Sequence, residues 1–281
     1  MTRYAHTALD DIAPHPLNKG FHTPGRTPFM FIDSCVQIWE DTDYAELRQY
    51  SATASCITTW RPNDDAGAAL DAVANWLRIE RAYPSVRIAR TARDIEEAHA
   101  NDQAAIVINS QGGDFLGNHL ERLDAFHAMG LRMMLPAYNT RNAICDGCLE
   151  PRDGGLSRMG EAWVEACNRL GIVIDLTHVG ERSTLEILDR SSHPTIFSHS
   201  NPKALVDNLR NISDEQIRRC AEGGGVIAPT NWGPPNLRAG MTTRPTLAHY
   251  LDAIDYVADL VGIDHVGVGT DMSHGTYPDG D

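Results

Sequence analysis

Two histidines sit where a metal ion could be held. His178 ends the run Ile172-Val173-Ile174-Asp175-Leu176-Thr177, and His199 ends Thr195-Ile196-Phe197-Ser198. A carboxylate, Asp271, ends a third such run, Val266-Gly267-Val268-Gly269-Thr270. Neutral imidazole is a preferred ligand of Zn²⁺, and a carboxylate beside a bound water can take its proton. One histidine so placed is usually a hydrogen-bonded core residue. Two that end consecutive apolar runs, with a carboxylate ending another, point to a metal site. Other polar residues fall at equivalent run ends: Asp33, Cys35 and Gln37; Gln111; Tyr138 and Asn139; and Asn231, a candidate substrate contact. Cys145 and Cys148 form a C-x-x-C that could be a redox pair or half of a zinc site, but no second pair has zinc-like spacing.

Side chains so far apart in sequence need a scaffold that gathers strand ends. Short β-rich runs alternate with amphipathic helical patterns, the signature of parallel strands joined by crossover helices. Eight strands are expected: Phe29 to Asp33, Thr53 to Thr58, Ala104 to Asn109, Leu131 to Pro136, Ile172 to Thr177, Thr195 to Ser198, Gly225 to Pro229 and His265 to Thr270. Helices are expected at Ala66 to Ala82, Leu116 to Met129, Ser157 to Leu170, Ser183 to Asp189, Ser213 to Glu222 and Thr246 to Leu260. Several begin at a capping Ser or Thr and stop at Gly130, Gly171 or Gly262. This alternation predicts an α/β fold, a (β/α)₈ TIM barrel with its chemistry at the C-terminal strand ends. It occupies one domain over residues 1–281, with residues 1–28 as an N-terminal extension. The last helix is missing or truncated, because the ten residues after Asp271 are turn-like. The extension or a second subunit, as in a homodimer, would then cover that gap.

The segments from GLSRMGEAWVEACNRLGIVIDLTHVG through PTIFSHSN to LRNISDEQIRRCAEGGGVIAP, then YVADLVGIDHVGVGTDM, closely resemble the membrane (renal) dipeptidases, peptidase family M19, of the amidohydrolase barrels. Weaker similarity reaches back to FIDSCVQIW. The resemblance implies a metal-dependent hydrolase that cleaves an amide in dipeptides or related small carboxylate-bearing molecules. By the same resemblance, His178 and His199 match second-site zinc ligands, Arg210 matches the arginine that grips the substrate carboxylate, and Asp271 matches the aspartate used in proton transfer. The first site departs from the family pattern. Where the family has Asp-Gly-His-Asn-Asp, this chain has Asp33-Ser34-Cys35-Val36-Gln37; its bridging Glu becomes Gln111, and a histidine beside the substrate carbonyl becomes Tyr138.

These changes remove two carboxylates, at Gln37 and Gln111, from a centre that must hold two mutually repelling cations. One zinc ion is therefore expected rather than two. It would be held by His178, His199 and some combination of Gln111, Cys35 and Asp271, with Tyr138 donating to the developing oxyanion. Two alternatives stay open: a repurposed barrel performing a lyase, isomerase or tailoring step with Cys35 as acid, base or nucleophile, and a catalytically inactive binding relative. The net charge of −14 argues against nucleic acid and anionic membrane surfaces as partners. The absence of a signal-like or spanning run suggests a cytoplasmic protein with mainly reduced cysteines.

Overall fold

The structure, a computed structural model, describes residues 29–39, 42–45, 47–50 and 52–274. In chain order its elements are β1 (Ile32–Ile38), α1 (Leu47–Tyr50), β2 (Ala54–Thr58), α2 (Ala66–Ala82), β3 (Val86–Ile88), α3 (Ala92–Ala100), β4 (Ala104–Ser110), α4 (Arg122–Met129) and β5 (Leu131–Met134). There follow α5 (Arg158–Leu170), β6 (Val173–Ile174), α6 (Glu181–Arg190), β7 (Ile196–Phe197), α7 (Asp214–Glu222), β8 (Val226–Ile227), α8 (Gly233–Asn236), α9 (Leu247–Val261) and β9 (Met272–His274).

Local chemistry accounts for the helices. Asp65 caps α2 by accepting from the Gly67 and Ala68 N–H groups, and Ala69, Val73, Trp76 and Ile79 form its buried stripe. Reciprocal capping boxes start α3 (Thr91 with Asp94) and α7 (Ser213 with Gln216). Ser157 caps α5, which buries Trp163 and ends at Gly171 in the left-handed conformation that glycine adopts without a steric penalty. The helices pack their stripes on the sheet around Ile106, Ile108, Leu131, Trp163, Phe197 and Ile227. Burying one such side chain contributes roughly 1.5–3 kcal/mol.

The strands pair in parallel in the order β6-β5-β4-β2-β1-β9, with β3 added beside β4, and β7 pairs with β8 separately. Single bridges join the two sheets: Asp175 to Ile196 between β6 and β7, and Ile227 to Val266 beyond β8. The Ser34 N–H donates to the Val268 carbonyl and β9 pairs with β1, so the stretch from Val268 to β9 lies against the first strand. This is an α/β, (β/α)₈ barrel-like architecture, and it carries the ends of distant strands to one mouth.

Several boundaries differ from expectation. The first strand begins at Ile32 rather than Phe29 and runs on to Ile38, carrying Cys35 and Gln37 inside the strand rather than after it. The stretch expected as the last strand opens with a 3₁₀ turn at Ile263–His265, and β9 forms only at Met272–His274. Gly269 is the reason the segment between them can dock, since a Cβ there would lie 1.7 Å from the Ser198 carbonyl oxygen. The expected helix from Leu116 divides into a 3₁₀ turn, Asp114–Leu116, and α4. The unit β3-α3 was not expected, because its strand is three residues long and α3 is mostly polar. The N-terminal extension, residues 1–28, lies outside the described residues, as do residues 275–281 at the place of the expected missing helix.

Candidate metal centre

The two histidines meet. His178 Nε2 and His199 Nε2 lie 3.0 Å apart, with ring centroids separated by 5.0 Å. Each ring is fixed from behind: His178 Nδ1 contacts Asn139 Oδ1 at 2.6 Å, and His199 Nδ1 contacts Ser198 Oγ at 2.7 Å. Asn139 Oδ1 can only accept, so His178 carries its proton on Nδ1 and presents an Nε2 lone pair. Burial, followed by the nearby Arg210 charge, holds both histidines well below the usual imidazole range. They are therefore neutral, the form that binds metal.

A second cluster shares His199. Cys35 Sγ, an imidazole nitrogen of His199 and a carboxylate oxygen of Asp271 all lie within 4.8 Å of one another. Gln111 Nε2 reaches Cys35 Sγ at 3.2 Å. Asp271 Oδ1 accepts from Cys35 Sγ at 3.4 Å and from Gln37 Nε2 at 3.3 Å, while Gln37 also donates to Thr58 Oγ1. Burial raises the Asp271 carboxyl above the usual range, an effect opposed by the hydrogen bonds from Gln37 and Cys35. Burial, reinforced by the neighbouring Asp271, also pushes the Cys35 thiol well above its ordinary value. Without a cation this cysteine is a thiol.

Two buried aspartates align the strands that deliver these groups. Asp33 Oδ1 accepts from the Cys35 and Thr270 N–H groups and its Oδ2 from the Thr270 hydroxyl, which sets Cys35 beside Asp271. Asp175 Oδ1 accepts from the Thr177 and Ser198 N–H groups, which sets His178 beside His199. Sequence reasoning missed Asp175, Ser198 and the anchoring role of Asn139. The available signal for Asp175 was a charge inside an otherwise apolar run. His178, Asn139 and Asp271 also have positive φ values of 67°, 63° and 54°, a strained region for residues other than glycine that is commonly kept where function needs it.

Arg210 is buried and reaches the same centre. Its Nη2 donates to His178 Nε2 at 3.1 Å and to the His199 carbonyl, whereas its buried Nε and Nη1 have no partner. It makes no surface pair with Asp214, which accepts from Tyr256. The Tyr138 ring stacks on His178 with centroids 4.0 Å apart. A cleft of about 460 Å³ opens beside His178 and Arg210, with Cys148, Lys203, Leu209 and Gln216 on its wall; Cys35, Gln111 and Asp271 are not part of that wall. Asn231 stands apart from all of this, exposed in the loop before α8. All six cysteines are free thiols, and the C-x-x-C places Cys148 against Asn139 rather than in the metal-ligand cluster.

A family model described as membrane dipeptidase (peptidase family M19) matches residues 32–280. The chain belongs to the M19 membrane dipeptidase family. Dipeptidase tcpJ of Claviceps purpurea (strain 20.1) is 31% identical over 69% of this chain and 46% of its own length. Rat dipeptidase 3 (Rattus norvegicus) is 27% identical over 82% of this chain and 47% of its own. The chain thus spans about half the length of these curated M19 relatives. Among solved structures, an amidohydrolase from Pseudomonas aeruginosa superposes with a TM-score of 0.82 at 29% identity, covering 89% of this chain and 76% of that one. A metallo peptidase from Rhodobacter sphaeroides, liganded with a phosphinate mimic of the dipeptide L-Ala-D-Ala, gives 0.69 at 28% identity, covering 75% of this chain and 64% of that one.

M19 membership implies a metal cofactor, and the donors present fit a metal ion. Two neutral imidazoles face each other at 3.0 Å, close to the separation of two ligands on one zinc ion. A carboxylate and a thiol stand on the neighbouring side. Gln37 and Gln111 bring no charge to the positions where the family resemblance puts carboxylates. Among the described residues no helix is long and apolar enough to cross a membrane.

Proposed function

We propose that this chain is a metal-dependent dipeptidase that hydrolyses dipeptides or related small amides bearing a free carboxylate, with a single zinc ion at His178 and His199. The observation that carries this reading is the buried Arg210, whose Nε and Nη1 lack partners while its Nη2 touches the imidazole pair. A buried guanidinium with unpaired donors suits an anion, and its parallel N–H pairs to a planar carboxylate each include Nη2. An ion on His178 Nε2 would also take the lone pair that Nη2 uses, which turns the guanidinium toward a substrate carboxylate. The phosphinate dipeptide mimic held by the similar Rhodobacter sphaeroides peptidase supports a substrate of this size.

A bound zinc ion supplies a water of lowered pKa and polarises the amide carbonyl. The chain's own residues do the rest. Arg210 anchors the carboxylate and so fixes the distance from the substrate's C-terminus to the scissile bond. Asp271 Oδ1 is engaged by Gln37 and Cys35, leaving Oδ2 to take a proton from the attacking water and return it to the leaving amine. Tyr138, ordered by stacking on His178, would donate from its hydroxyl to the developing oxyanion. Without an ion Cys35 is a protonated thiol and a poor nucleophile.

Metal per chain by elemental analysis, followed by assays on dipeptides and N-acyl amino acids, tests the reading. One zinc per chain is expected, and His199→Ala should lose both the ion and at least about 10³-fold in kcat/KM. A zinc-saturated wild-type protein that hydrolyses none of these substrates would overturn it.

A further inference from the structure

The departure at position 35 exchanges one metal-binding atom for another of different character. A histidine offers a neutral nitrogen, whereas a cysteine offers sulfur that becomes an anion on binding. Cys145, Cys167 and Cys220 pack within the main apolar core, but Cys35 does not. Its Sγ has polar neighbours on two sides, Gln111 Nε2 at 3.2 Å and Asp271 Oδ1 at 3.4 Å. It also lies within 4.8 Å of a His199 ring nitrogen, in the one group of at least three His, Cys, Asp or Glu side chains able to hold an ion among the described residues.

The charge count points the same way. With glutamine at 37 and 111, Asp271 is the carboxylate that touches this cluster. Asp33 spends Oδ1 on two backbone N–H groups and Oδ2 on the Thr270 hydroxyl. One thiolate and one carboxylate neutralise one divalent cation, whereas a carboxylate alone leaves the buried site with a net positive charge.

We propose that the ion of this chain is sulfur-ligated: the Cys35 thiolate and His199 hold one thiophilic divalent cation, zinc in preference to magnesium or manganese, with Asp271 completing the cluster and His178 beside His199. This rests on the metal-dependent reading above and deepens it. On binding, the Cys35 S–H bond breaks, a sulfur–metal bond forms, and one proton leaves to solvent. Sulfur softens the site, so cadmium and cobalt should compete with zinc while magnesium does not. The two glutamines follow from the same count: with sulfur supplying the negative charge, neutral amides at 37 and 111 hold Asp271 and Cys35 in place without overcharging the site.

The test is spectroscopic and uses the whole chain. Wild-type protein loaded with one equivalent of Co²⁺ should show a near-ultraviolet thiolate-to-cobalt charge-transfer band. The zinc form should show one sulfur neighbour at about 2.3 Å by X-ray absorption. The band should vanish in Cys35→Ala, persist in Cys148→Ala, and be accompanied by a loss of zinc affinity of about 100-fold in Cys35→Ala. If Cys35→Ala does not fold, the wild-type absorption spectrum decides alone. Nitrogen and oxygen neighbours only, a sulfur signal that survives in folded Cys35→Ala, or no ion bound at saturating zinc each overturn the proposal. An ion with only nitrogen and oxygen ligands in an active dipeptidase removes the sulfur ligation and leaves the function standing. A sulfur-bound ion in a protein inert toward every dipeptide does the reverse.

Discussion

Arg210 combines features that an ordinary structural arginine lacks: it is buried, it touches a metal-competent imidazole, and two of its donor atoms have no partner. A buried unpaired donor costs about 1–3 kcal/mol, which the protein recovers when a substrate carboxylate arrives. Lysine at this position keeps the charge but cannot offer two parallel N–H groups. Arg210→Lys should therefore raise KM for dipeptides by roughly 10- to 100-fold while changing kcat less, because the lost contact is present in both the bound substrate and the transition state. C-terminally amidated dipeptides, which lack the carboxylate, should be poor substrates of the wild type and nearly indifferent to the change. Steady-state kinetics on both series decides, and an equal loss for the amides would assign Arg210 a role other than carboxylate binding.

The strands reach the site through narrow passages, of which the segment before Asp271 is the tightest. The Gly269 Cα lies where an added Cβ would sit 1.7 Å from the Ser198 carbonyl oxygen and 2.9 Å from Ser34 Oγ. Ser34 Oγ itself donates to the Ser198 and Val268 carbonyls, so three chain segments meet there. Gly269→Ala should push them apart, destabilising the protein by about 3 kcal/mol and weakening zinc binding, since His199 and Asp271 follow Ser198 and Thr270 directly. Denaturant melts with a parallel zinc titration measure both, and an alanine variant with wild-type stability would show that this contact relaxes at little cost. At this scale the sequence was legible wherever period and capping agreed, as for α2, whose expected bounds are those observed. It was illegible where tertiary contacts set the structure: β6, β7 and β8 are two residues long, and the last expected strand is held by bridges to its neighbours rather than by a regular ladder. The run ends that carry His178, His199 and Asp271 could be read because chemistry-bearing side chains interrupt apolar runs. Asn231 interrupts one too, yet it faces solvent, because its loop turns outward into α8, and linear spacing carries no information on that turn.

Gathering neutral imidazoles in a buried centre makes the stability of the whole molecule depend on pH. Burial, with Arg210 nearby, holds His178 and His199 well below 6.5 in the folded chain, whereas in the unfolded chain they titrate near 6.5. As pH falls through 6.5 the unfolded state takes up these protons first, so stability that is fully present above 6.5 is lost at lower pH. The slope approaches about 1.4 kcal/mol per pH unit for each histidine. The buried carboxyls of Asp33, Asp175 and Asp271 act with the opposite sign. Their folded values are raised above 3.8, so acidification through that lower window favours the folded state. Urea melts of chelator-treated protein between about pH 7.5 and 6, set beside the histidine variants, read the histidine part, which should fall toward the acid end of that range. His178→Asn and His199→Asn should each remove a large part of the pH dependence, with His127 and His274, which burial also holds below the usual range, supplying the remainder. Zinc-saturated protein should show a steeper acid loss, because protons then compete with the ion for the same nitrogens. A flat profile in the chelator-treated wild type, unchanged in the histidine variants, would mean that the imidazole pair is solvated and free to titrate in the folded chain, which is incompatible with the enclosed centre on which the dipeptidase reading depends.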